Sequence, residues 1–243
     1  MPAIDDTPDA LLVLAYEAGA ALPKALAASR GLSERELALD TQLLLLRQLY
    51  LAHLAEGHYA VAAQTAEQMV ELGELPLVAR ADAARAYAAY GDFATAVRHQ
   101  RLAARLAPAS LRGIQYARLA RMLRFAGDLR AVLPALRHAE RWATSDRVLY
   151  RAEINLVRAE AGHEVALAAA YEALAADTGS SPLTYYVGAE LALRLGEQSI
   201  AADLFREFVS CARALPLVER VSLLAESRRA ESADAPLFAK PLR

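Results

Sequence analysis

The sequence predicts an all-α fold in which antiparallel helix pairs stack one on the next as a solenoid. Three observations carry that reading. Glycines recur at Gly57, Gly91, Gly127, Gly162 and Gly196, separated by 34, 36, 35 and 34 residues, and a regular period of this length marks a helical repeat. The residues around each glycine recur with it. Alanine and leucine dominate the composition while β-branched residues are sparse, which favours helix because alanine and leucine lose little conformational freedom there.

The recurring positions have a physical logic. Two residues after the glycine come Tyr59, Phe93 and Leu129, with Gln198 in the last unit; five after it come Ala62, Ala96, Val132 and Ala201. Seven before it sit Tyr50, Ala84, Ala120 and Ala189, and eleven before it Leu46, Tyr116 and Tyr185. Small residues let two helices approach, and large ones fill the space beside them. The glycine ends the first helix because it tolerates left-handed backbone angles. An acidic residue or histidine then opens the second helix, as in Gly91-Asp92-Phe93 and Gly127-Asp128-Leu129, where aspartate can cap orphan N–H groups.

Taken in chain order, residues 1–42 read as an N-terminal helical cap. It contains a hairpin over 8–30 that breaks near Gly19, then a capping box of Ser33 and Glu36. The run Leu43-Leu44-Leu45-Leu46 is apolar all round and is expected to be buried. Five units follow, at about 43–76, 77–110, 113–146, 148–181 and 182–215. The fourth is irregular, because Asn155 and Arg158 fall where a small residue and an aromatic are expected, and its register is open to a shift of one. Ser181 is expected to cap the first helix of the fifth unit, with Pro182 in its first turn. A capping helix over 216–230 starts at Pro216, and 231–243, with Pro236 and Pro241, reads as a flexible tail.

This layout resembles the tetratricopeptide repeat family over roughly residues 43–215. The best match is Ala83-Ala84-Arg85-Ala86-Tyr87-Ala88-Ala89-Tyr90-Gly91-Asp92-Phe93-Ala94-Thr95-Ala96, followed by Leu106-Ala107-Pro108. The family's tryptophan near the start of the first helix is absent from every unit. The resemblance implies a right-handed superhelix whose first helices line a concave, partner-binding groove. It does not extend to the clamp that grips chaperone C-termini, which uses lysines and two asparagines: this chain has one asparagine, Asn155, and no lysine within the array.

The groove implied by that likeness has a definite composition. On the first helix of the third unit, Tyr116, Leu119, Ala120 and Leu123 face inward, while Ile114, Arg118, Arg121 and Phe125 form the opposite stripe. Arg85 stands at the equivalent place in the second unit, and Glu153 and Leu156 in the fourth, with Glu160 and Glu190 making the far end acidic. Arginines beside Phe125 suit a peptide that carries carboxylates. Equally, Arg118 and Arg121 can pair with Glu153 or Glu160 of the next unit. On the binding reading, changing Arg85 and Arg121 to glutamate weakens capture of a partner and leaves helicity intact.

Charge and motif content narrow the function classes. The net charge is −2, so no global basic field collects nucleic acid or anionic lipid. No apolar run approaches the roughly 20 residues of a membrane span, and a cytoplasmic location is expected. The single cysteine, Cys211, excludes an internal disulfide and is expected to be a buried, inert thiol. The five histidines, His53, His58, His99, His138 and His163, lack metal-ligand spacing and read as surface or turn residues. Trp142 reads as packing between helices.

No catalytic, cofactor-binding or metal motif is found, so the expectation is a non-enzymatic scaffold. It binds a peptide or partner protein in the groove and needs no cofactor. A second reading is a sensor or regulatory helical-repeat module of a bacterial transcriptional or signalling system, although no basic helix-turn-helix is apparent. A third is an enzyme on a helical-repeat fold. Self-association is a further expectation, through the apolar region 8–54 or through Pro236-Leu237-Phe238 docking on a neighbour, against the simpler reading of that tail as disordered.

Overall fold

The computed structural model describes residues 39–163, 165–177 and 181–233. The hairpin expected over 8–30, the Ser33–Glu36 capping box and residues 234–243 lie outside the described residues. Among those described, all regular structure is α-helical, and the chain divides into two compact units, Met1–Leu106 and Ala107–Arg243. The helical-repeat class expected from the sequence is seen within each.

The first unit contains α1 (Leu39–Ala55), α2 (Tyr59–Leu72), α3 (Pro76–Tyr90) and α4 (Phe93–Leu106), each packed on the next. Its interfaces are built from alanine: Ala52, Ala62, Ala66, Ala83, Ala84, Ala86, Ala96 and Ala103 are fully buried. With only a methyl group at each contact the helices lie close, and Tyr50, Leu54 and Met69 fill what remains. The Leu43–Leu46 run is not buried all round among the described residues: Leu45 is buried while Leu44 is 46% exposed.

The second unit contains α5 (Ala109–Phe125), α6 (Leu129–Arg141), α7 (Arg147–Glu160), α8 (Leu167–Ala175), α9 (Leu183–Leu195), α10 (Gln198–Ala214), α11 (Leu217–Ser222) and α12 (Leu224–Ala233). Consecutive helices pack together from α5 to α10, α7 also lies against α9, and α12 returns onto α10. Larger side chains make this core. Tyr186 sits 5.2 Å from Phe208 and 5.8 Å from Phe205 by ring centroids, amid Leu149, Leu156, Leu174 and Leu191.

The glycine period is a period of backbone geometry. At Gly91 φ is 101°, the Gly91 N–H donates to the Ala88 carbonyl at 3.1 Å, and the Asp92 N–H donates to the Tyr87 carbonyl at 2.9 Å. That pair of bonds is a Schellman motif, and its left-handed residue is open to glycine without a Cβ penalty. Gly57, Gly127, Gly162 and Gly196, together with the residue after each, repeat both bonds. The aspartates then cap as expected: Asp92 accepts from the Thr95 N–H at 3.0 Å and Asp128 from the Ala131 N–H at 3.2 Å. The Thr95 amide holds the Asp92 carboxyl below its usual range.

Burial follows the same register. Tyr50, Ala84, Ala120 and Ala189, and Ala62, Ala96, Val132 and Ala201, are all fully buried. The fourth unit departs from it. Asn155 is only half-buried and the adjacent Leu156 takes the inner place, because a side-chain amide is expensive to bury without partners. The second helix of that unit, α8, begins five residues after Gly162, where the others begin two after their glycines, and it has 9 residues against 13 to 17.

Three further details differ from expectation. Ser181 does not cap α9 with its side chain; its carbonyl accepts from the Thr184 N–H at 3.0 Å. The C-terminal helix is broken at Leu223 (φ −110°, ψ 12°) into α11 and α12. α12 runs on to Ala233, so residues 231–233 of the expected tail are helical. Trp142 does pack between helices. The Arg112 guanidinium stacks 4.7 Å above its ring, and α5 crosses the end of α6 so closely that a Cβ on Gly113 would lie 2.7 Å from the Trp142 carbonyl oxygen.

Candidate functional site

Charged side chains at helix contacts are the chemistry this chain offers, and each unit arranges them differently. In the first unit Arg85 is 7% exposed. It leaves α3 toward α1, donates to the Tyr50 hydroxyl at 2.9 Å and pairs with Asp82. The Tyr50 hydroxyl in turn donates to the Asp82 carbonyl oxygen at 3.2 Å. Burial opposes the charge on Arg85, but Tyr50 and Asp82 outweigh it and hold the guanidinium protonated. Burial likewise drives the Tyr50 phenol far up, so it stays neutral. Arg85 is therefore a strut between α1 and α3 and not an open contact for a partner.

Two histidines expected at the surface are buried, His53 and His99; His58, His138 and His163 are exposed. His99 Nε2 lies 2.9 Å from Glu67 and Nδ1 lies 3.3 Å from Arg80. A guanidinium only donates, so Nδ1 accepts and Nε2–H donates to the carboxylate. Tyr87 stacks on the ring at 5.7 Å and donates to the same glutamate at 3.2 Å, so the group ties α2, α3 and α4 together. His53, on α1, has its ring 6.1 Å from that of His58.

Burial pushes the pKa of both His53 and His99 down, and His58 adds to the effect at His53. A depressed folded-state value means that the unfolded chain takes up protons first. Stability of the first unit is accordingly full above the ordinary histidine pKa of about 6.5 and falls as the pH drops below it. Thermal melts between pH 7.5 and 5.5 are expected to show that slope, and the variant His53→Leu/His99→Gln is expected to flatten it. A slope that survives both changes assigns the titration to other groups.

In the second unit the charges form a seam along α5, α7, α9 and α12. Arg121 on α5 stands between Glu153 of α7 at 3.6 Å and Glu226 of α12 at 3.5 Å. One turn on, Arg124 reaches Glu160 of α7 through Nε at 3.2 Å and also pairs with Glu190 of α9. Arg194 lies 3.5 Å from Glu160, Arg229 of α12 lies 2.9 Å from Glu190, and the Tyr186 hydroxyl donates to Glu190 at 3.1 Å. The four carboxylates are buried at the bottom of the seam, while Arg194 and Arg229 are partly exposed at its rim.

The two ends of the seam are electrostatically unlike. Burial alone would raise the Glu190 carboxyl, but Arg124 and Arg229 overcome it and hold the pKa below the usual value. Glu153 and Glu226 share one guanidinium, and burial pushes both above the ordinary carboxylate range. Among the described residues Glu153 Oε2 and Arg121 Nη1 make no hydrogen bond, and a cavity of about 10 Å³ lies beside them, lined by Arg124, Val132 and Leu156 among others.

Of the residues singled out in the sequence, Arg85, Glu153 and Leu156 are buried, whereas Ile114 is 40% exposed and Arg118, Arg121 and Phe125 are half-buried. Arg121 meets Glu153, one of the two arrangements expected. Arg124 and Arg194 meet Glu160. Glu226 and Arg229 were not expected at all. Their only signal is a charged pair three residues apart on a helix whose neighbouring Leu223 and Ala230 are buried.

Cys211 is half-buried, not buried as expected. Its sulfur lies 3.8 Å from Glu207, and burial together with that carboxylate pushes the thiol pKa up, away from nucleophilic chemistry. No protein-family model matches the chain, and no curated protein matches it. No helix among the described residues is long and apolar enough to cross a membrane.

Proposed function

We propose that this chain is a non-enzymatic interaction module of tetratricopeptide type, which binds a peptide or partner protein on the outward stripe of α5. The observation that supports the reading is the two-sidedness of α5. Gly113, Ala117, Leu119, Ala120 and Leu123 are buried on one side, while Leu111 and Ile114 are exposed beside half-buried Arg118, Arg121 and Phe125 on the other. Apolar side chains next to guanidinium groups form a surface that receives a segment carrying both apolar and acidic groups.

Ile114→Asp tests the reading without disturbing the core, because Ile114 is already exposed. The full chain, used as bait in lysate of its source organism, is expected to lose its captured partner on this change while its helicity stays the same. Capture at the original level removes α5 as the binding face.

One observation favours a second reading, a small-molecule sensor module. An open pocket of about 260 Å³ is lined by Tyr171, Leu174, Asp177, Thr184, Tyr185 and Leu204, within reach of the size of ligand sites. A raised melting temperature with one member of a panel of small metabolites, abolished by Gly188→Leu in the pocket's lining, supports it; a flat panel counts against it.

A further inference from the structure

α12 closes the apolar end of the second unit, but part of it is built for another purpose. Ala230 is buried in the cluster that holds Phe205 and Phe208, as a cap requires. Glu226 and Arg229, one turn apart, reach instead to α5 and α9. Glu226 is 2% exposed, 3.5 Å from Arg121, and Arg229 lies 2.9 Å from Glu190. A cap over an apolar face has no need of a buried carboxylate, which is unfavourable unless paired. Here the pairing is shared, because Arg121 already meets Glu153.

The packing of α12 on α10 is open along one side. An open groove of about 440 Å³ runs between α10 and α12, lined by Phe205, Val209, Ser210 and Ala230, and the exposed pair Arg213–Glu231 at 2.8 Å bridges it. Exposed pairs hold little. The break at Leu223 and the six-residue α11 connect α12 to the rest of the unit.

We propose that α12 is an internal ligand: a helix seated by its Glu226-x-x-Arg229 pair on the Arg121–Glu190 seam, and displaced by a partner helix that presents a carboxylate and a guanidinium three residues apart. The proposal rests on the reading of this region as an interaction surface and names its regulation and the class of partner. While α12 is seated, Arg121 and Glu190 are covered; when a competing helix takes their charges, α12 leaves and the seam is filled from outside.

The test uses a labelled synthetic peptide of residues 216–233 as probe, with fluorescence anisotropy on the full chain. The wild type is expected to bind it weakly, because its own α12 holds the seat. The full-length variant Glu226→Gln/Arg229→Gln is expected to bind at least about tenfold more tightly, a gap of about 1.4 kcal/mol. A peptide with the two charges exchanged is expected to bind neither. Equal binding to both proteins, absence of binding to both, or capture of the exchanged peptide overturns the proposal.

Should the variant misfold, hydrogen exchange on the wild type decides. Excess peptide is expected to speed exchange in α12 and leave α9 protected, and unchanged α12 exchange at saturation overturns the proposal. If the peptide discriminates as expected but Ile114→Asp retains its partner, the seat stands and the partner face moves off Ile114. If Ile114→Asp loses its partner and the peptide binds nothing, the α5 face stands and α12 is only a cap.

Discussion

Replacing Arg85 with alanine is expected to destabilise the first unit by about 3 kcal/mol, because it removes the buried partner of Asp82 and leaves it only the half-exposed Arg47 at 3.9 Å. Tyr50→Phe removes the hydroxyl that accepts from Arg85 but leaves the ion pair, and is expected to cost about 1–2 kcal/mol. Arg85→Glu is worse than either, since it sets a second carboxylate against Asp82 in a buried site. Urea melts of the full chain followed by circular dichroism, with hydrogen exchange to localise the loss to α1 and α3, measure the ordering. An Arg85→Ala loss below about 1 kcal/mol, the range of an exposed pair, would show that the strut carries no weight. The substitution of Arg85 and Arg121 by glutamate is thus not a clean probe of binding, and the expectation that helicity survives it gives way to one of unfolding.

Arg124→Ala is expected to have an effect of similar size in the second unit. Arg124 pairs with Glu160 and Glu190 together, and without it these buried carboxylates keep only the partly exposed Arg194 and Arg229, a loss of about 3 kcal/mol at pH 7. The pH dependence then inverts. In the wild type the Glu190 carboxyl is held low, so its contribution is present above the unfolded-state value and is lost as the pH falls through the folded one. In the variant Glu190 keeps only Arg229 against the cost of its burial, so its carboxyl rises, acid relieves part of the loss and the deficit shrinks toward pH 5. Adding Glu160→Gln and Glu190→Gln to Arg124→Ala is expected to recover part of the loss at pH 7. A deficit independent of pH, or deepened by the two glutamines, would refute this account of the seam.

The helical repeat was legible because its signals are local. A left-handed turn residue is met best by glycine, a capped first turn calls for aspartate, and a close helix contact calls for alanine, so Gly91, Asp92 and Ala84 each declare their role where they stand. The site was legible only where exposure follows from one helix alone, as at Ile114. Arg85 and Arg121 occupy equivalent places in their units, yet one is buried beside Tyr50 and the other joins Glu153 to Glu226. What decides between them is the identity of residues tens of positions away. The turn of α7 that buries Leu156 depends on Asn155 rejecting the inner place, and the return of α12 depends on the break at Leu223. Neither leaves a periodic trace.

The shared turn at the five glycines also bears on how such a chain changes over generations. Each turn is closed by the same two backbone hydrogen bonds, so the segment between one glycine and the next is a self-contained cassette. Duplicating or deleting one cassette leaves every turn bond at the junction intact, and the spread of 34 to 36 residues between glycines is absorbed at the helix ends. A chain of this kind lengthens or shortens by gene-level copying in whole steps. The exception is the segment after Gly162: its first helix starts late and has 9 residues, which makes it the poorest template for copying.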